Sequence, residues 1–141
     1  MLSRVPRAAG RVAKSESGAT AVEFGLIAGL LITLLMGIIE FSLILFTYTA
    51  ASAASRDVAR RIATSRLTTA EASAVAKAEL PNWVRAWTTV TVAQTTPATP
   101  STNQITVTVS FPASRATPTT YLNFAYGSLT LETFTTMQQE I

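Results

Sequence analysis

From Phe24 to Phe46 the chain is apolar almost without a break, and Glu40 is the one charge inside that run. As a helix rising about 1.5 Å per residue it reaches about 34 Å, enough to cross the hydrocarbon core of a bilayer. Glu23 stands at the mouth of the run, five positions after Gly18. A carboxylate there is costly unless something specific answers it. Glu40 falls about 26 Å along the helix from Glu23, near the far interface, where a side chain reaching out to water is the simpler expectation.

A basic segment precedes the run. Arg4, Arg7, Arg11 and Lys14 face only Glu16, and removing residues 1–18 leaves seven basic and seven acidic side chains. The net charge of +3 therefore belongs to the leader. Cations are retained on the cytoplasmic side, but Arg56, Arg60, Arg61 and Arg66 beyond the run nearly balance the count. The expectation that this end lies inside, with the C-terminal part in the periplasm, therefore rests on the leader's proximity to the start of the run. Because the excess is not on the folded part, no nucleic-acid partner is expected.

Beyond the run the chain is about the smallest size for a self-supporting fold. The helical pattern continues past Phe46, with Ala50, Ala54, Val58 and Ile62 every fourth residue and only small side chains from Thr49 to Ser55. That face suits close packing against another helix or a sheet. Arg56, Asp57, Arg60 and Arg61 read as a solvated face. A break is expected over Leu67–Thr69, then a capping box from Thr68 to Glu71 and a second helix ending at Pro81. Alternation over 88–93 and 104–111 predicts a hairpin with one buried face, and 128–138 predicts a third strand. Trp83, Trp87, Phe111, Tyr121, Phe124 and Tyr126 are expected to fill the core between sheet and helices. The fold class is α+β: a long N-terminal helix, its first half transmembrane, carrying a small antiparallel sheet of about three strands. The expected divisions are a leader over 1–18, a membrane helix over 19–46 and a head over 47–141.

Catalysis finds little support. The chain has no histidine and no cysteine, which removes the commonest general base, metal ligands and disulfides. No glycine-rich phosphate loop follows a strand. No enzyme activity, cofactor or metal is expected.

The informative junction is SGATAVEFGLIAGLL, with a glycine, a small residue, an acid five positions on, an aromatic residue and an apolar helix. Prepilin-like proteins share this arrangement. With RVAKSESGATAVEF before the run, GIIEF near its end and ASAASRDVARRIA after it, the chain resembles the TadE-like pseudopilins of the tight-adherence (type IVb) pilus. TTMQQE near the C-terminus is a looser likeness. The resemblance implies cleavage after Gly18 by a membrane prepilin peptidase, so that Ala19 becomes the first residue, Glu23 the fifth and Phe24 the sixth. It implies that Glu23 pairs with a neighbouring subunit's N-terminal amine during assembly. Gly25 and Gly29 form a GxxxG pair that would let another helix approach closely. The implied partners are the inner membrane, other pilin or pseudopilin subunits, the prepilin peptidase and the pilus assembly machinery. Bulk pilins of this system are much shorter than this chain, so the implied role is a minor pseudopilin. Two other readings stay open: an uncleaved, signal-anchored envelope protein, and a binding domain released after Ala53, where Ala51-Ser52-Ala53 fits a signal-peptidase pattern.

Overall fold

The computed structural model describes residues 16–140, so most of the basic leader lies outside the described residues. The elements in order are α1 (Glu16–Ala63), α2 (Ala72–Glu79), α3 (Asn82–Arg85), β1 (Thr89–Gln94), β2 (Gln104–Pro112), α4 (Asn123–Tyr126) and β3 (Thr130–Gln138). Short 3-10 turns, Pro100–Thr102 and Ala113–Arg115, flank β2. The architecture is mixed α+β, as expected. The chain divides into a first unit ending at Met36 and a second beginning at Gly37.

No proline falls between Pro6 and Pro81, so nothing in the backbone chemistry interrupts α1. Its hydroxyls are turned inward: Thr33 donates to the Gly29 carbonyl and Ser42 to that of Ile38. A helix that satisfies its own polar side chains this way suits an apolar solvent. In the first unit Val22, Phe24, Leu26, Leu30 and Leu34 are all exposed, and almost none of the most apolar window is buried. Among the described residues, this is the one helix long and apolar enough to cross a membrane.

The second unit is a head built on the later part of α1. Its three-stranded antiparallel sheet has the order β1-β2-β3. Register places Val107 between Val92 and Thr135, and Val109 between Val90 and Thr133. Ile105, Val107, Val109 and Phe111 are buried on one face of β2, while Gln104, Thr106, Thr108 and Ser110 occupy the other. Each large apolar side chain so buried contributes about 1.5–3 kcal/mol over leaving it in water. The small-residue face of α1 joins the same core through buried Ala51, Ala54, Ser55, Val58 and Ile62. Ser55 and Thr135 bond through their hydroxyls at 2.9 Å, which ties helix to strand across the face that the spacing predicted. Ala72, Ala76 and Leu80 give α2 its buried edge.

The first break comes earlier than expected. α1 stops at Ala63, four residues before Leu67, because Ser65 adopts a left-handed φ of 56°. The Ser65 amide donates to the Ile62 carbonyl and the Arg66 amide to that of Arg61, the paired bonds of a Schellman stop. Only half of the expected capping box forms. The Glu71 carboxylate accepts from the Thr68 amide and hydroxyl, but α2 begins at Ala72 and no side chain caps it.

The aromatic core is also smaller than expected. Phe111 is fully buried, and Trp83 and Tyr126 are half-buried. Trp87, Tyr121 and Phe124 are exposed, Phe124 to 86%. Buried Ala51, Ala54, Ala59, Ala72 and Ala76 fill the helix side of the core in place of rings. Trp87 instead stacks under the Arg115 guanidinium, 4.0 Å from its ring centre.

Candidate functional site

The residues singled out near the start of α1 all lie in the first unit. Gly18, Ala19, Glu23, Phe24, Gly25 and Gly29 are helical and exposed. A Cβ added at Gly25 or Gly29 would meet nothing within 4 Å, so the GxxxG face is open in the single chain. At about 100° per residue, Glu23 and Gly25 stand about 200° apart around the helix. The acid and the glycine pair therefore do not share a face. A neighbour packed on the glycines and one supplying a charge to Glu23 would approach from different sides.

Glu40 overturns its expectation. It is 1% exposed and does not reach out to water. Its Oε2 accepts the Leu122 amide at 2.6 Å, and its Oε1 lies 3.3 Å from the Thr117 hydroxyl, whose one proton is shared between that oxygen and the nearer Thr119 carbonyl. The Leu122 side chain rests over the bare backbone of Gly37, where an added Cβ would come within 3.7 Å of its Cδ1. A buried carboxylate needs such donors, because desolvating it unanswered costs several kcal/mol. The Tyr126 hydroxyl is buried beside Glu40, and burial, then hydrogen bonding and charge from the Glu40 carboxylate, push its pKa up to about 12.

The segment around Glu40 is pinned at two further points. The Ala116 carbonyl accepts the Thr47 hydroxyl at 2.6 Å and the Trp83 indole N–H at 3.0 Å. One connection, from the turn after β2 to α4, is thus stapled to α1 at Glu40 and Thr47 and to α3 at Trp83. Nothing in the sequence announced this. The partners on α1 are 69 to 82 positions away, and the only local sign is the glutamate within an apolar run.

Arg56, Arg60 and Arg61 are exposed, as expected of a solvated face. Arg61 pairs with Asp57 at 2.6 Å and reaches toward Glu79 at 3.6 Å. With Thr64, Arg66 and Glu140, residues Asp57, Arg60 and Arg61 line a polar cavity of about 550 Å³. A second, apolar groove of about 330 Å³ runs beside Phe41, Leu45 and Tyr48, with Tyr126, Leu129 and Leu131 opposite.

These features define a class: a chain with one helix able to cross a membrane, and a small α+β head built on the same helix. The family model described as TadE-like protein matches residues 18–60. The matched stretch runs from Gly18 to Arg60, less than half of the chain, and over those residues the chain is similar to the TadE-like family. The match takes in Glu23, both glycines and Glu40, and ends before the sheet. No curated protein and no solved structure matches the chain.

Proposed function

We propose that this protein is a minor pseudopilin of a tight-adherence pilus, held in the bacterial inner membrane by α1 and processed by a prepilin peptidase after Gly18. The observation that carries the reading is the TadE-like match beginning at Gly18 itself, on a bare helix with Glu23 five residues on. Cleavage would leave Ala19 as the mature start, on the cytoplasmic side, with the head in the periplasm. Glu23 would then answer the N-terminal amine of a neighbouring subunit. In a low-dielectric setting such a pair attracts strongly, while either charge alone is penalised. Glu23 thereby selects the stagger that supplies its partner. Glu40, folded into the head, is not available for that role.

The head also bears on release after Ala53. Ala51 and Ala54 are both fully buried, and that bond lies inside α1. Cutting there would strip Glu40, Thr47 and Ala51 from the structure they hold. This favours a chain that keeps its helix. An uncleaved anchor and a processed pseudopilin differ at the N-terminus, which decides between them. Intact mass of the mature protein, with and without the prepilin peptidase, is expected to show loss of residues 1–18 only when the enzyme is present. A Met1 start in both strains would refute the processing.

A further inference from the structure

We infer that the segment from Ala116 to Leu131, with the exposed Phe124 within it, is a membrane foot: it seats the head on the outer interface of the bilayer that α1 crosses. The first argument is depth. Counting from Phe24, the roughly 20 helical residues needed to cross the hydrocarbon end near Leu43. Glu40 lies about one turn short of that level, and the Leu122 amide is bonded to its carboxylate. Leu122 in turn covers Gly37. The head therefore reaches down the helix to positions at the bilayer edge. What the connection exposes next to Leu122 is exposed there.

The second argument is composition. Ala116 to Leu131 contains no charged residue, although Arg115 and Glu132 bracket it directly. Its exposed large side chains are Tyr121, Phe124 and Leu129, and Phe124 has almost no protein around it. On a water-facing head, a phenylalanine this exposed buries too little surface to stabilise the fold. At an interface the same side chains are favoured, the tyrosine at headgroup level and the phenylalanine below it. The third argument is continuity. Phe41 and Leu45 are exposed on α1 beside Leu129, so the foot borders an apolar stretch of the helix surface within its own unit. Glu40 is the positioning residue. It holds the foot against the helix by a hydrogen bond that hides a carboxylate where water is scarce.

The inference rests on α1 being a membrane span and not on processing at Gly18. The chain has no cysteine, so single thiols can be placed without background. The full chain, reconstituted in phosphatidylcholine vesicles, would carry an environment-sensitive label at Phe124→Cys. Leu31→Cys serves as the lipid reference and Ala98→Cys, on the exposed connection between β1 and β2, as the water reference. Lipids brominated near the headgroup should quench the label at Phe124→Cys severalfold more than at Ala98→Cys, and deep-brominated lipids should quench Leu31→Cys most. Quenching at Phe124→Cys no greater than at Ala98→Cys, while Leu31→Cys is quenched, would overturn the foot and leave the span intact. Loss of quenching at Leu31→Cys as well would instead overturn the span. An apolar signal at Phe124→Cys that disappears when protein is diluted in lipid would assign the surface to a second copy of the chain and also overturn the foot. Adding Glu40→Ala to the Phe124→Cys chain should lower its quenching while leaving Leu31→Cys unchanged.

Discussion

Glu40 shows how one side chain can be required by two environments at once. It lies in a helix stretch apolar enough for lipid, yet it is covered by protein and meets a backbone amide at 2.6 Å. Removing the acceptor leaves the Leu122 amide without a partner in a poorly hydrated setting. Glu40→Ala should therefore destabilise the head by about 1–3 kcal/mol. Glu40→Gln keeps an acceptor and loses only the charge assistance, so roughly half that loss is expected. Thermal unfolding of the full chain in detergent, followed by proteolysis within 117–127, would check both. Equal effects from the two substitutions would mean that the bond to Leu122 is not what holds the connection. This residue also marks a limit of reading sequence. An isolated acid in an apolar run has two solutions, water or a buried donor, and the donor comes from a connection 82 positions later. Local pattern cannot choose between them.

At the scale of elements, spacing was informative wherever one face decided the outcome. The four-residue stripe from Ala50 to Ile62 and the alternation of Ile105, Val107, Val109 and Phe111 meet in one core because each commits its apolar side to a single surface. Element ends were less legible, since they depend on backbone states that a residue's identity only biases. The stop after Ala63 uses serine where glycine is usual, so it left no mark in the sequence. A left-handed serine is strained, and Ser65→Gly should stabilise the head by about 1 kcal/mol, measurable as a higher Tm. The same end of the head makes stability respond to pH. Desolvation, then the neighbouring Asp57, hold the Glu79 carboxyl above its ordinary value of 4.5, with Arg61 opposing them. The folded state therefore binds that proton more tightly than the unfolded state. Its contribution is full below 4.5 and lost as pH rises through the raised value. Glu71, bonded by Thr68, is shifted down from 4.5, so its contribution is present above that value and fades as pH falls through the lowered one. Tm should rise on mild acidification from neutral pH and fall again in stronger acid. Glu79→Gln should abolish the rise without removing the fall.

For the whole molecule, the division after Met36 separates two kinds of work. From Gly37 onward the chain buries a core, and before it the helix buries almost nothing. A long helix without a partner face in its own chain must find one in lipid or in other chains. Glu23 distinguishes these outcomes, because lipid tolerates it only at the interface, whereas the assembly proposed above would give it an opposite charge. Breaking a buried ion pair by removing one member costs about 3 kcal/mol or more, enough to lower association over a hundredfold. Glu23→Ala should thus leave membrane insertion intact, or make it easier, and sharply reduce pilus formation. Because Glu23 lies outside the unit that holds the core, the Tm of the head should not change, in contrast to Glu40→Ala. Glu23→Asp, which keeps the charge on a shorter arm, should retain part of the assembly. The measurements are the protein in the membrane fraction, the Tm of the purified chain and the number of pili per cell. Normal pili with Glu23→Ala would mean that the charge has no assembly partner, and α1 would then be an anchor whose acid stays in water. Reduced pili together with a lowered Tm would trace the defect to folding instead of register.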